Sequence, residues 1–274
     1  MIQLDDRQPH DLYPYLETAR GEFDINGKAR ILNKQMPIYF GQLAHLNTSL
    51  DYLLICSDLQ GMNEINGEKV LMGLPLAEYL RLYIDELDVT LPEPKVGVFL
   101  CGDLFTSPEK RGTGGDVRPV WRQFNKHFEW VVGVAGNHDR FGEPDEKSTF
   151  QQEAGIHLLH QEQIEIAGFR IGGVSGIIGQ EDKPQRMEEK AYLTAIQQQL
   201  KKPLDFLLIH QHPDFPEYQY PGHIGLRTYL EQGMKTKICC GHSHWERTLV
   251  ALSNGSQLIN ADGKIIILKL NQAE

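Results

Sequence analysis

The sequence predicts an α/β fold built in layers, from apolar runs, helical stripes between them, and polar side chains at the ends of the runs. Each run is four to six residues long and is bounded by turn residues, which is typical of a strand buried on both faces. These runs are residues 53–56, 96–101, 130–134, 206–209 and 237–240.

Apolar side chains at helical spacing lie between the predicted strands, and we interpret them as faces packed on the core. The stripes are Leu76, Leu80, Ile84 and Leu87; then Val120, Phe124 and Phe128; and later Tyr192, Ile196 and Leu200. Strands that alternate with helices in this way are typical of α/β proteins.

Two later segments have the pattern of β-hairpins. Residues 163–166 and 169–171 flank the pair Ala167-Gly168. Residues 257–260 and 265–268 flank a connection that contains Asp262-Gly263, and Asp-Gly between apolar runs is a strong hairpin signal. The C-terminus is therefore expected to end as strands of a second sheet.

Residues 1–50 carry a weaker pattern, with an apolar cluster at 37–40. We expect an N-terminal extension with one strand, packed on a main domain of residues 51–274. There is no internal repeat.

Composition and charge narrow the function classes. Hydrophobic residues make up 41% and charged residues 23%, as in ordinary soluble proteins. The net charge of −10 disfavours broad affinity for nucleic acid or anionic membranes, although bound divalent ions can reverse the local field, so a nucleic-acid substrate stays open. The start has no secretory signal and no run reaches the roughly 20 apolar residues of a membrane span, which predicts a cytoplasmic protein. The pattern predicts no oligomeric state.

The cysteines do not form a metal-binding motif. None of the four, Cys56, Cys101, Cys239 and Cys240, has CxxC spacing, and each lies in an apolar run. They are expected to be reduced and buried.

Polar side chains that suit a metal site follow the predicted strands. In open α/β sheets, ligands bind at the carboxyl ends of the strands. Carboxylate, amide and imidazole groups together favour manganese, iron or zinc. The candidates are Asp58, Asp103, Asn137, His210, His242 and His244.

The order of these residues resembles the motifs of the calcineurin-like metallophosphoesterases, from about residue 53 to the C-terminus. The motifs are Asp58-Leu59-Gln60, Gly102-Asp103, Gly136-Asn137-His138-Asp139, His210 and Gly241-His242-Ser243-His244. The resemblance implies a four-layer αββα sandwich and a dinuclear site. Such a site hydrolyses a phosphomonoester or phosphodiester with a metal-activated water.

The resemblance also implies a role for each residue. Asp103 would bridge two divalent ions, with manganese expected and iron or zinc as alternatives. Asp58, Gln60 and His244 would hold the first ion. Asn137, His210 and His242 would hold the second. His138 would protonate the leaving group, and Asp139 would orient its imidazole. Asn137, His138 and Arg140 are candidate phosphate contacts, with a surface or ion-paired role as the alternative for Arg140.

Several alternatives stay open. Gln60 replaces the usual histidine of the first motif, which predicts looser binding of the first ion or a harder ion there, with a single-metal state as a further alternative. His212 competes with His210 as a ligand, and we favour His210 because it directly ends an apolar run. A binding scaffold with a degraded site is the alternative function, against which the intact Asp103 and His138 argue. The glycine-rich loop 111–115 is expected to be an exposed connection near the site.

Overall fold

The computed structural model describes residues 1–44, 48–87 and 90–271. The helices are α1 (Gly73–Leu87), α2 (Arg118–His127), α3 (Pro144–Gln151), α4 (Glu189–Gln199) and α5 (Ile224–Gln232), with a 3-10 helix at Pro216–Tyr218. The strands up to the middle of the chain are β1 (Ile2–Leu4), β2 (Asp11–Phe23), β3 (Ala29–Ala44), β4 (Tyr52–Ser57), β5 (Met62–Ile65), β6 (Glu68–Leu71), β7 (Val96–Leu100), β8 (Gly115–Asp116), β9 (Trp130–Gly133) and β10 (Asp139–Arg140). The later strands are β11 (Ile156–Leu158), β12 (Glu162–Ile166), β13 (Phe169–Val174), β14 (Ile177–Ile178), β15 (Arg186–Met187), β16 (Phe206–Ile209), β17 (Lys237–Cys240), β18 (Leu249–Ala251), β19 (Gln257–Asn260) and β20 (Lys264–Asn271).

Two large sheets form the centre of the molecule. The larger has the order β11-β9-β7-β4-β20-β3-β2-β5-β6, and β1 also pairs with β3. The smaller has the order β12-β13-β16-β17-β19-β18. In both sheets the central strands that precede the candidate ligands are parallel, so their carboxyl ends lie at one edge of each sheet.

The two sheets pack face to face between two layers of helices. Phe99 of the larger sheet meets Phe206 of the smaller in the core between them, with ring centroids 5.0 Å apart. The outer face of the larger sheet packs against α1 and α2, and that of the smaller against α4 and α5. The predicted four-layer αββα arrangement is confirmed.

The apolar runs and helical stripes of the sequence correspond to observed elements. The predicted strands became β4, β7, β9, β16 and β17, and the predicted helices became α1, α2 and α4. The first predicted hairpin is also confirmed, because Ile166 pairs with Phe169 across a tight turn. Ala167 and Gly168 have φ of 49° and 82° in that turn, as a type I′ connection requires.

The second predicted hairpin is wrong. β19 pairs with β17 and β18 in the smaller sheet, whereas β20 lies between β4 and β3 in the larger one. β20 is buried on both faces: Ile265 and Ile267 face the helices, and Ile266 and Leu268 face the other sheet. Burial of an apolar strand on both faces outweighed the local turn signal, so the connection crosses from one sheet to the other.

The N-terminal segment contributes β1, β2 and β3 to the larger sheet, where one strand was expected. β3 is parallel to β20 from Ile38 to Ala44, beside the central strands. A domain boundary near residue 50 stays a prediction. None of the helices in the described ranges has the length and apolarity of a membrane span. All four cysteines are buried and free.

Candidate metal and phosphate site

The loops that follow β4, β7 and β9 meet the loops that follow β16 and β17. Backbone hydrogen bonds join neighbouring loops, from Asp58 N to Gly102 O at 2.9 Å and from Gly241 N to His210 O at 3.2 Å. A side-chain bond joins the two sheets, because His210 Nδ1 lies 2.7 Å from the carbonyl oxygen of Cys101. The candidate ligands therefore come from both sheets and meet at their shared edge.

Three of these side chains form a compact group that suits a cation. One ligand atom each of Asp103, His210 and His242 lies within 4.8 Å of the others. Since a carbonyl oxygen only accepts hydrogen bonds, the contact with Cys101 places the proton of His210 on Nδ1 and turns Nε2 toward Asp103, 3.3 Å from Oδ2.

Two buried atoms at this point lack a hydrogen-bond partner within the described part of the chain. They are Nε2 of His210 and Oδ1 of Asn137. Buried polar atoms are nearly always paired, so each orphan needs an explanation. A divalent cation fits both, since imidazole nitrogen and amide oxygen are ordinary ligands of manganese, iron and zinc.

The charges of Asp103 and His210 shift the pKa of each other. Burial opposes ionisation of Asp103, but His210 outweighs it and lowers the pKa of Asp103 to about 2. Burial likewise disfavours the His210 imidazolium, but Asp103 outweighs it and raises the pKa of His210 to about 10. Burial and the neighbouring His210 lower the pKa of His242 to about 3, which leaves that imidazole neutral. A cation bound between Asp103 and His210 would take the place of the positive charge that the imidazolium supplies to Asp103.

Asp58 lies beside this group, with Oδ2 accepting hydrogen bonds from Ser57 Oγ at 2.7 Å and from His242 N at 2.9 Å. Burial, followed by the charge of Asp262, raises the pKa of Asp58. Gln60 Nε2 lies 3.2 Å from Asp103 Oδ2. His244 is exposed, and its Nδ1 lies 3.4 Å from the carbonyl oxygen of Asp262. Asp58 thus contacts the backbone of His242, Gln60 contacts Asp103 and His244 contacts Asp262, while none of the three belongs to the compact group.

The local backbone is unusual at three of the candidate ligands. Asp58, Asp103 and His242 have φ of 54°, 56° and 74°, in the left-handed region that side chains rarely adopt. Such conformations concentrate at functional sites. Gly136 and Gly241 are required by close approach, because a side chain at either would collide with the carboxylate of Asp103 or Asp58, respectively.

His138 lies at the open side of the group, with its side chain 26% exposed. Its backbone N donates to Asp103 Oδ1 at 2.8 Å, and its Nε2 is 3.9 Å from Asp103 Oδ2. Burial lowers the pKa of His138, against the opposing charge of Asp103. The glycine-rich loop borders this ring, since a side-chain carbon at Gly112 would lie 3.9 Å from His138 Cε1.

The side chains of Asp139 and Arg140 form hydrogen bonds with the backbone of the loops. Asp139 Oδ2 accepts from Asp103 N at 2.9 Å and from Gly136 N at 2.8 Å, while Oδ1 accepts from Leu104 N at 2.8 Å. The buried carboxylate therefore holds the two loops together, and these contacts do not include the His138 imidazole that it was predicted to orient. Arg140 Nη1 donates to the carbonyl oxygens of Asn137 at 3.2 Å and Asp139 at 2.9 Å.

His212 is buried behind His242. Its ring centroid lies 5.6 Å from that of His242 and 5.9 Å from that of Trp245. Burial lowers its pKa to about 4. His210, and not His212, is in the compact group.

Sequence reasoning missed Asp262 and Lys264. Asp262 follows β19 and pairs with Ser57 in an isolated parallel bridge, which brings it to the site. Its position after an apolar run was the same signal that identified Asp58, but the Asp-Gly pair was interpreted as a hairpin turn. Lys264 is buried behind the turn that carries His242 and His244, and no sequence signal distinguished it from a surface lysine.

Comparison with known proteins gives the family. No curated protein sequence matches the chain. The crystal structure of TT1561 of Thermus thermophilus shares the fold, with a TM-score of 0.53 and 15% identity, over 78% of this chain and 91% of that one. The family model described as calcineurin-like phosphoesterase matches residues 52–246. The chain therefore belongs to the calcineurin-like phosphoesterase family.

Proposed function

We propose that the protein hydrolyses a phosphomonoester or phosphodiester at a dinuclear metal centre built around Asp103. Family membership supports a metal-dependent phosphoric ester hydrolase in general. The observation that carries the proposal is the compact group of Asp103, His210 and His242, together with the buried Oδ1 of Asn137, which has no hydrogen-bond partner among the described residues.

The ligands divide into two sets around Asp103. Asn137, His210 and His242 would hold one ion, and Asp58, Gln60 and His244 the other. The mixture of oxygen and nitrogen donors favours manganese, with iron or zinc as alternatives. When bound, the ions supply charge stabilisation to the phosphate oxygens and lower the pKa of the attacking water.

His138 is positioned to move a proton to the leaving group. Its half-buried ring lies at the open side of the group, 3.9 Å from Asp103 Oδ2. Burial favours its neutral form in the free protein. A bound phosphate anion would raise its pKa by charge, so substrate binding itself favours the protonated donor.

Asp139 and Arg140 keep this loop in place. Asp139 ties the backbone of Asp103 to that of Gly136, and Arg140 holds two carbonyl oxygens of the same loop. We therefore assign Asp139 a positioning role. Arg140 remains a candidate phosphate contact through the donors that the loop does not use.

The experiment is hydrolysis of paired aryl phosphate monoesters and diesters by protein stripped of metal and then reconstituted with manganese. Asp103→Asn is expected to lower kcat/KM by at least about a hundredfold, because it removes the carboxylate that would hold both ions and with it the charge stabilisation that the ions supply. Asp85→Asn, an exposed change on α1, is the matched control and should leave kcat/KM unchanged.

The ester that is preferred identifies the substrate class. Equal turnover by Asp103→Asn and the unchanged protein would contradict the proposal. Absence of turnover on both esters, with both ions bound, would favour a narrow natural substrate or a binding scaffold built on the same fold.

A further inference from the structure

Residues 260–264 lead from the last residue of β19 to the first residue of β20, and this connection runs alongside the turn that carries His242 and His244. Residues on the two segments meet in register. Asn260 Nδ2 donates to Ser243 O at 2.9 Å, His244 Nδ1 lies 3.4 Å from Asp262 O, and Lys264 Nζ donates to Trp245 O at 2.6 Å. Alternate residues of the connection therefore contact three successive residues of the turn.

Lys264 is the most unusual member of this connection. Its residue surface is 1% exposed, although lysine is almost never fully buried without partners. Its ammonium group also lies 3.3 Å from Asn260 Oδ1 and 3.4 Å from Asn260 O. Burial lowers its pKa to about 8, against the opposing charge of Asp262. The hydrogen bonds of the ammonium group therefore link Asn260 to the carbonyl oxygen of Trp245.

His244 gains its orientation from the same connection. It is exposed on the turn, and its ring nitrogen Nδ1 contacts the connection. Since the carbonyl oxygen of Asp262 only accepts, the 3.4 Å contact favours a proton on Nδ1 and leaves Nε2 available as a ligand. Metal-binding histidines are commonly oriented in this way by a backbone carbonyl.

We propose that residues 260–264 form a clamp that positions His244 for the first metal ion, with Asn260 and Lys264 as its positioning residues. The clamp fixes the carbonyl groups on both sides of His244 and accepts the proton of its ring. The proposal rests on the proposed function, which assigns His244 to the first ion.

Lys264→Met tests the clamp because it keeps the buried aliphatic chain and removes the ammonium group. Manganese titration calorimetry should show that the first ion binds about 10–100-fold more weakly, while the second binds as before. If Lys264 acted only through its positive charge, removing it would tighten the binding of a nearby cation. Weaker binding of the first ion therefore indicates that Lys264 positions His244. Lys237→Met is the matched control: this half-buried lysine is at the opposite end of neighbouring β17, and both affinities should persist.

A second readout does not need metal. In the metal-free protein, side-chain NMR should find His244 mainly with its proton on Nδ1, and Lys264→Met should shift it toward a mixture of tautomers. If Lys264→Met fails to fold, Asn260→Ala provides a second test. It removes the donor to the carbonyl oxygen of Ser243 and should weaken binding of the first ion in the same way.

The outcomes separate the clamp from the function that it serves. If the folded Lys264→Met variant binds two ions with unchanged affinity and the tautomer of His244 is unchanged, the clamp alone is overturned. If His244→Ala binds both ions as the unchanged protein does, the assignment of His244 to the first ion is wrong and the clamp is overturned with it. If the unchanged protein binds only one ion, the dinuclear centre itself is overturned.

Discussion

At the scale of single residues, we expect Gln60 to take the place of a histidine ligand of the first ion. Its Nε2 donates to Asp103 Oδ2 at 3.2 Å, so the side chain lies beside the carboxylate around which the metal centre is proposed. An amide oxygen is a weaker ligand than imidazole for manganese, iron or zinc. The first ion should therefore be the more weakly bound of the two.

Gln60→His is expected to tighten binding of the first ion by about tenfold, because it supplies a softer nitrogen ligand. Titration calorimetry with zinc and manganese measures the change for each ion. Gln35→His, an exposed position on β3, is the control and should change neither affinity. First-ion affinity unchanged by Gln60→His would mean that position 60 does not contact the ion.

Site residues could be predicted from the sequence only where they directly follow the ends of predicted strands. Asp103, His210 and His242 were identified from that placement, and the structure brings their ligand atoms within 4.8 Å. The buried contacts of Asp139 with three backbone N–H groups depend on how two loops pack, which one sequence does not encode in a recognisable pattern. The burial of Lys264 depends in the same way on a strand that changes sheets.

At the scale of elements, apolar runs predicted the central strands well because each is buried on both faces. The N-terminal strands were underestimated, since the burial pattern of β3 is irregular along its first half. The hairpin at residues 257–268 failed because turn propensity is local, whereas the choice of sheet is made by long-range burial. The same crossing brings Asp262 and Lys264 to the site.

Deletion of residues 1–44 is expected to abolish cooperative unfolding. β3 pairs with β20 from Ile38 to Ala44, and buried Met36, Ile38 and Leu43 belong to the cores on both sides of the sheet. Removal would leave a long apolar strand at an open edge, which favours aggregation. Circular dichroism during thermal unfolding and size-exclusion chromatography measure the effect.

The matched control shortens the exposed tip of the β2–β3 hairpin at residues 24–28, and it should unfold like the complete chain. A monomeric, cooperatively folded product of residues 45–274 would contradict this expectation. It would instead support the predicted division into a dispensable extension and a main domain.

At the scale of the whole molecule, the site lies where two sheets meet. His210 comes from the smaller sheet, yet its Nδ1 contacts Cys101 O of the larger at 2.7 Å. The distance between the candidate ligands therefore depends on how the sheets pack, with Phe99 against Phe206 in the core between them. The chain carries a net charge of −10, and cations bound at the site would make the local field more attractive to phosphate.

The most direct test of the central claim is anomalous X-ray diffraction from crystals grown with manganese. Two anomalous peaks are expected on either side of the Asp103 carboxylate, one beside His210 and His242 and the other beside Asp58 and His244. A single peak, or peaks that do not include Asp103 among their ligands, would contradict a dinuclear centre built around this residue.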